Sequence, residues 1–138
     1  MSHAAYPSRV LVVDDHPALT ELVAIHMRRG GMEPVTCVGG RQALDALAAE
    51  SFDAVILDVM MPDVTGYDVL AHIRSTPATA ILPVILLTAK AMPEDIERGL
   101  LMGANYYVVK PFKGRDLVSR VRLSIEEMRL GGRVATLR

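Results

Sequence analysis

A chain of 138 residues is long enough for one domain with one sizeable core, and its 51% apolar and 22% charged content excludes disorder as the default. The formal net charge of −1 gives no general attraction to nucleic acid or anionic membrane, and no stretch approaches the roughly 20 apolar residues of a membrane helix. Cys37 is the only cysteine, so an intrachain disulfide is excluded and the thiol reads as a small apolar filler in a strand.

Met1 to Arg9 has no apolar run of signal-peptide length, which predicts a cytoplasmic protein with a flexible leader over residues 1–8. Val10 to Val13 is a continuous apolar run, the pattern of a strand covered on both faces. Pro17 suits a helix start, Leu19, Leu22, Val23 and His26 share a helical face, and Gly30 and Gly31 stop it. A second strand is expected over Glu33 to Val38, and Ala43, Leu44, Leu47 and Ala48 stripe a second helix.

Phe52 to Leu57 reads as the third strand, followed by a tight loop marked by Pro62, Asp63 and Gly66. Tyr67, Leu70 and Ile73 then line a helix, and Pro83 opens a fourth strand over Val84 to Leu87. Met92, Ile96, Leu100 and Gly103 are expected to line the fourth helix. Tyr106 to Val109 is a fifth strand, and Leu117, Val118, Val121, Ile125 and Met128 line the last helix. Residues 129–138 lose this period and read as a tail or the start of a linker.

Five strand–helix units with short connections bury their strands only if helices cover both faces of a parallel sheet. The expected fold is α/β, a flavodoxin-like doubly wound (βα)5 domain over residues 9–128 with strand order 2-1-3-4-5. Its crevice lies at the carboxyl ends of the strands. Asp14 and Asp15 end the first strand, Asp58 the third and Thr88 the fourth, while Lys110 follows the fifth. Each alone is ordinary: a strand-end Asp or Thr usually caps a helix or turn, and a lone Lys is usually solvated. Successive strand ends change that reading, because the topology gathers all of them at one edge.

Three carboxylates in one place repel unless a cation intervenes, and Mg²⁺ (with Mn²⁺ as the alternative) suits hard oxygen ligands. Asp14 and Asp15 point to different sides of their backbone, so one is expected to bind the ion directly and the other largely through water. Asp58 is a third ligand, and the Met60 carbonyl would add a neutral oxygen. Asp58, single and followed by a turn-rich loop, is the better candidate to receive a phosphoryl group. Lys110 would pair with one phosphoryl oxygen, Thr88 would donate to another, and the Ala89 backbone N–H would help.

The quoted pieces Val10-Leu-Val-Val-Asp-Asp15, Leu57-Asp-Val-Met-Met-Pro62, Gly66, Leu87-Thr-Ala89, Gly103-Ala104 and Tyr107-Val-Val-Lys-Pro-Phe112 together resemble the receiver domain of bacterial two-component response regulators. The resemblance runs from about Arg9 to Met128. It implies Asp58 as phosphoacceptor, a Mg²⁺ site from Asp14, Asp15 and the Met60 carbonyl, Thr88 and Lys110 as phosphate sensors, and a cis Lys110–Pro111 bond. It implies that the domain catalyses its own aspartyl phosphorylation and dephosphorylation, with a histidine kinase or histidine phosphotransfer protein as donor.

Tyr107 matches the family's aromatic switch, whose ring turns in from solvent as Thr88 moves toward the phosphoryl group. Its neighbour Tyr106 is expected in sheet–helix packing, although either ring could face outward. Met60 and Lys90 fall two residues after the phosphoacceptor and two after the Thr, where the family tunes phosphoryl lifetime. Output is expected through the fourth helix, fifth strand and fifth helix, with Leu101 and Leu123 as exposed contacts.

A phosphorylation-dependent homodimer is one implied output, since Leu117-Val-Ser-Arg-Val-Arg122 resembles the dimerising helix of the winged-helix subfamily, and Arg115, Arg120 and Arg122 with Asp116 could form an ionic surface. Asn105-Tyr106 departs from the acidic pair usual there. Neither direct nucleic-acid contact nor membrane insertion is expected.

Other classes fit less well. A haloacid-dehalogenase-like phosphatase expects an acid two residues after its nucleophile, where Met60 stands. A flavodoxin-like cofactor binder needs a phosphate cradle where Asp14-Asp15-His16 repels anions. A degenerate receiver, acting as a phosphorylation-independent interaction module, is the remaining alternative.

Overall fold

In the computed structural model, which describes residues 6–131, five strands form one parallel sheet in the order β2-β1-β3-β4-β5. The strands are β1 (Arg9–Val13), β2 (Glu33–Cys37), β3 (Ala54–Leu57), β4 (Val84–Thr88) and β5 (Tyr106–Val109). Between and after them lie α1 (Pro17–Arg29), α2 (Gly40–Ala49), α3 (Gly66–Ser75), α4 (Pro93–Leu101) and α5 (Gly114–Gly131). The (βα)5 fold is the one the alternating periods predict, and its strand order is the one expected by analogy with flavodoxin-like folds.

Alternation along each strand divides the core in two. Leu11, Val13, Val55, Leu57, Val84 and Leu86 pack with Tyr67, Leu70 and Ile73 of α3 and Ala43 of α2. Val10, Val12, Ala54, Ile56, Ile85 and Leu87 pack on the opposite face with Val23 and Met27 of α1 and Leu117, Val121 and Ile125 of α5. Period two therefore settles the tyrosine pair: Tyr106 belongs to the α1/α5 face, and Tyr107 packs against the α2/α3 face.

Helix phase differs from expectation in three places. The buried stripe of α1 is Thr20, Val23, Ala24 and Met27, leaving Leu22 44% exposed. One residue turns a helix by about 100°, so an apolar residue adjacent to the stripe faces water. Ala48 is exposed for the same reason. Met92 stands at the N-cap of α4 rather than within it and is 58% exposed.

Strand limits are also shorter: Val38 lies beyond β2 and is exposed, while Phe52 precedes β3 with the Arg9 guanidinium 4.9 Å from its ring centroid. At the other end, α5 continues to Gly131, so residues 129–131 extend the helix, and the rest of the expected tail lies outside the described residues. Residues 1–5 of the expected leader also lie outside them.

Candidate functional site

Register brings the site together. Val13 pairs with Leu57, so Asp14 and Asp58 leave adjacent strands side by side. Thr88 pairs with Val109, which places Lys110 one step beyond β5 on the same edge. Asp14 and Asp58 are each 4% exposed. Lys110 Nζ donates to Asp14 Oδ2 at 2.8 Å and to Asp58 Oδ2 at 3.0 Å. Burial pulls the Lys110 pKa down, but its hydrogen bonds to Asp14 and Asp58, with their charges, outweigh that and hold it above its ordinary value. The Lys110–Pro111 peptide bond is cis, as expected.

The β3–α3 loop is fixed around Asp58. Met60 N–H donates to Asp58 Oδ1 at 3.0 Å, and Gly66 N–H to the Val59 carbonyl at 3.0 Å. A Cβ on Gly66 would overlap the Asp58 carbonyl oxygen, so only glycine lets α3 start this close to the phosphoacceptor candidate. Thr65 caps α3: its Oγ1 accepts from Asp68 N–H at 3.2 Å while Asp68 Oδ2 accepts from Thr65 N–H at 2.9 Å. Asp63 takes the left-handed conformation with φ of 66°, which Asp tolerates better than most residues.

His16 is the site residue missed by the sequence reading. Its Nδ1 lies 2.9 Å from Asp14 Oδ1 and 3.1 Å from Asp15 Oδ1. The hydrogen bond to Asp14 and the charges of both carboxylates raise its pKa. Asp14, Asp15, His16 and Asp58 can each offer a ligand atom with all four within 4.8 Å of one another. Asp15 Oδ1 is buried without a hydrogen bond of acceptable geometry, although His16 lies close. An orphaned carboxylate oxygen among hard donors is what a divalent cation would satisfy, so these residues fit a metal. The available signal was His16's position directly after the Asp pair, at the mouth of α1.

Thr88 and Tyr107 meet at one residue. Thr88, fully buried, accepts at Oγ1 from Lys90 N–H at 3.4 Å, and Tyr107 Oη donates to the Lys90 carbonyl at 2.8 Å. Desolvation first, then the charges of Tyr67, Asp95 and Asp58, push the Tyr107 pKa up to about 12. Lys90 Nζ lies 3.7 Å from Asp95 Oδ1 in the first turn of α4. Met60 is 55% exposed, and with Lys90, Tyr67 and Arg98 it lines a groove along the β3–α3 loop that Asp58 itself does not line. Ala89 is exposed at the turn between Thr88 and Lys90.

Elsewhere, Leu101 is 80% exposed and Leu123 50%. On α5, Arg120 lies over the Tyr106 ring at 5.7 Å and Arg122 Nη2 donates to the Gly30 carbonyl. Among the described residues no helix is long and apolar enough to cross a membrane.

Comparison with known proteins agrees with this geometry. The family model of the response regulator receiver domain matches residues 10–122. The chain is 45% identical over 116 residues to the probable transcriptional regulatory protein TcrX of Mycobacterium tuberculosis, covering 84% of this chain and 49% of that protein. It is 43% identical over 114 residues to the DNA-binding response regulator MtrA of Mycolicibacterium smegmatis, covering 83% and 49%.

The chain thus spans about half the length of these relatives. A putative response regulator from Chloroflexus aurantiacus superposes with a TM-score of 0.83 at 33% identity, over 87% of this chain and 98% of that one. The BeF3-activated DrrB receiver domain gives 0.78 at 32% identity, also over 87% and 98%. The chain belongs to the response regulator receiver family, the phosphoaccepting domains that switch a partner surface.

Proposed function

We propose that Asp58 accepts the phosphoryl group, and that Asp14, Asp15 and the Met60 carbonyl join Asp58 in holding Mg²⁺ or Mn²⁺. The observation that carries this reading is the Lys110 ammonium held between Asp14 and Asp58 at 2.8 and 3.0 Å, beside the orphaned Asp15 Oδ1. The cation, when bound, would offset charge on the phosphoryl oxygens. Asp58 supplies the nucleophilic oxygen: its bond to phosphorus forms as the bond to a donor histidine nitrogen breaks, and the imidazole leaves with the electron pair.

Lys110 already stands within hydrogen-bond reach of Asp58, so a phosphoryl oxygen there gains a partner without a large movement. The buried Thr88 hydroxyl donates to a second oxygen, and the backbone N–H of the exposed residue Ala89 assists. Moving Thr88 alters its contact with Lys90, whose carbonyl holds the Tyr107 hydroxyl. Charge at Asp58 is thereby read out at α4 and β5.

A histidine kinase or histidine phosphotransfer protein is the donor, and the output partner reads α4, β5 and α5. The exposure of Leu101 and Leu123 supports that surface, with a phosphorylation-dependent homodimer as one form of it. Met60 and Lys90, which line one groove next in sequence to Asp58 and Thr88, tune hydrolysis.

The test is phosphoramidate labelling with Mg²⁺, with Mn²⁺ and with chelator, read by intact and peptide mass spectrometry. One phosphoryl group on the Asp58 peptide, formed only with divalent metal, is the expected result. Labelling elsewhere, or undiminished labelling in chelator, would reject the assignment and favour a phosphorylation-independent interaction module.

A further inference from the structure

Gly99 is the sole fully buried residue of α4, and its φ lies outside the left-handed region. No backbone conformation demands glycine there, and glycine weakens a helix interior relative to alanine. Its neighbours supply the reason. A Cβ on Gly99 would stand 2.7 Å from Leu86 Cδ1, 2.9 Å from Tyr107 Cδ2 and 3.1 Å from Tyr107 Cε2. Leu86 and Tyr107 are themselves register partners on β4 and β5, so the helix closes directly over the inward tyrosine ring.

We propose that Gly99 is a positioning residue for the switch: its missing side chain makes the seat that the inward Tyr107 ring occupies. This rests on the reading of Tyr107 as the switch residue. Two groups would be displaced by a methyl on Gly99, and their surroundings decide which yields. Leu86 is completely buried among the side chains of the α2/α3 face and has no outward path. Tyr107 lies on the edge strand, is half-buried, and holds its hydroxyl on the carbonyl of a loop residue. The ring therefore moves toward solvent, and the bond to Lys90 is lost.

The contact leaves the chemistry alone. Asp14, Asp58 and Lys110 are held by one another and by the β3–α3 loop, none of which touches Gly99. Gly99→Ala should thus separate phosphorylation from its readout. Glycine at this helix position is a setting of the equilibrium between inward and outward rings rather than a requirement for folding.

The experiment uses the full chain labelled with 3-fluorotyrosine, with the Tyr107 ¹⁹F resonance identified by its absence in Tyr107→Phe. Wild type and Gly99→Ala are compared before and after phosphoramidate treatment with Mg²⁺, and solvent isotope shift reports ring exposure. The expected result is at least a tenfold fall in the inward population of Gly99→Ala, with its initial labelling rate within twofold of wild type.

If the single variant loses cooperative unfolding, Gly99→Ala combined with Leu86→Val removes the Cδ1 contact and leaves only the ring to yield. A wild-type inward population in whichever variant folds overturns the proposal. A wild-type Tyr107 resonance indifferent to phosphorylation instead overturns the switch reading on which it rests.

Discussion

The two edges of the sheet hold polar clusters built on opposite terms. At the amino edge, Arg74 of α3 donates to the Gly103 carbonyl through Nε at 3.0 Å and Nη2 at 2.8 Å, and to the Leu82 carbonyl through Nη1 at 2.6 Å. It also reaches the Ala80 carbonyl at 3.2 Å and Asn105 Oδ1 at 3.1 Å, while Asn105 Oδ1 accepts from Val84 N–H at 2.9 Å. One cation thus closes the loops that enter β4 and β5.

At the carboxyl edge, the Lys110 ammonium pairs with Asp14 and Asp58, His16 Nδ1 lies beside Asp14 and Asp15, and Asp15 Oδ1 lacks a hydrogen bond. The amino edge is closed by hydrogen bonds between its own groups. The carboxyl edge keeps more carboxylate charge than Lys110 offsets, which an added cation would balance. Fold stability and signalling therefore draw on different ends of the same strands.

The sharpest break in this comparison comes from Asp58→Asn. An amide cannot serve as the nucleophile, so labelling by phosphoramidate should fall below detection, at least about 100-fold, in a site where positioned groups carry the reaction. Removing one of three crowded carboxylates relieves their mutual repulsion, so the variant should still unfold cooperatively in urea. Stoichiometric labelling of this variant, seen by intact mass, would remove Asp58 from its role.

Arg74→Ala is the converse. Its carbonyl acceptors and Asn105 lose a charged donor in a partly buried setting, at a cost of about 3 kcal/mol. Urea denaturation measures that loss, while the folded fraction should still label at the parental rate. A small stability change would mean that water replaces the guanidinium freely and that the amino edge is not closed in the sense argued.

Phosphoryl lifetime should respond more modestly. Met60 and Lys90 line one groove, and a thioether and an ammonium are both poor at orienting an in-line water. Met60→Asn with Lys90→Glu supplies polar groups that do, so the double variant should lose its phosphoryl group roughly 3- to 10-fold faster, an effect of water positioning. Decay in Mg²⁺, with no kinase or phosphatase present, provides the comparison. Equal rates, or faster decay of the parent, would place both side chains outside the approach.

The smallest effect is the titration of His16. Its raised pKa favours the protonated ring in the folded chain, so the stabilising contribution is fully present below the ordinary His value of about 6.5. It is lost as pH rises through the folded value. By NMR, the His16 midpoint should lie above 6.5, fall in Asp14→Asn, and fall on addition of Mg²⁺ as the cation competes for the same carboxylates. A midpoint that ignores both changes would detach His16 from the charge cluster.

The apolar runs at Val10–Val13 and Val55–Leu57, with helical stripes between them, are local signals strong enough to specify strands buried on both faces. Since short βαβ connections make such strands parallel, the sequence by itself determined the edge where Asp14, Asp58, Thr88 and Lys110 would emerge. Local patterning could not set helix phase against the sheet, which is why Leu22, Ala48 and Met92 face water while Thr20 and Gly99 are buried.

Nor could it choose between Tyr106 and Tyr107, because alternation states that neighbours oppose but not which one meets α4. Asn105 read only as a departure from an acidic pair, and nothing in the local pattern singled out Arg74. Their shared roles exist because residues 74, 84, 103 and 105, separated along the chain, meet at one edge. Hydrogen-bond partners at such separations are set by tertiary closure, and periods of two or 3.6 residues carry no record of them.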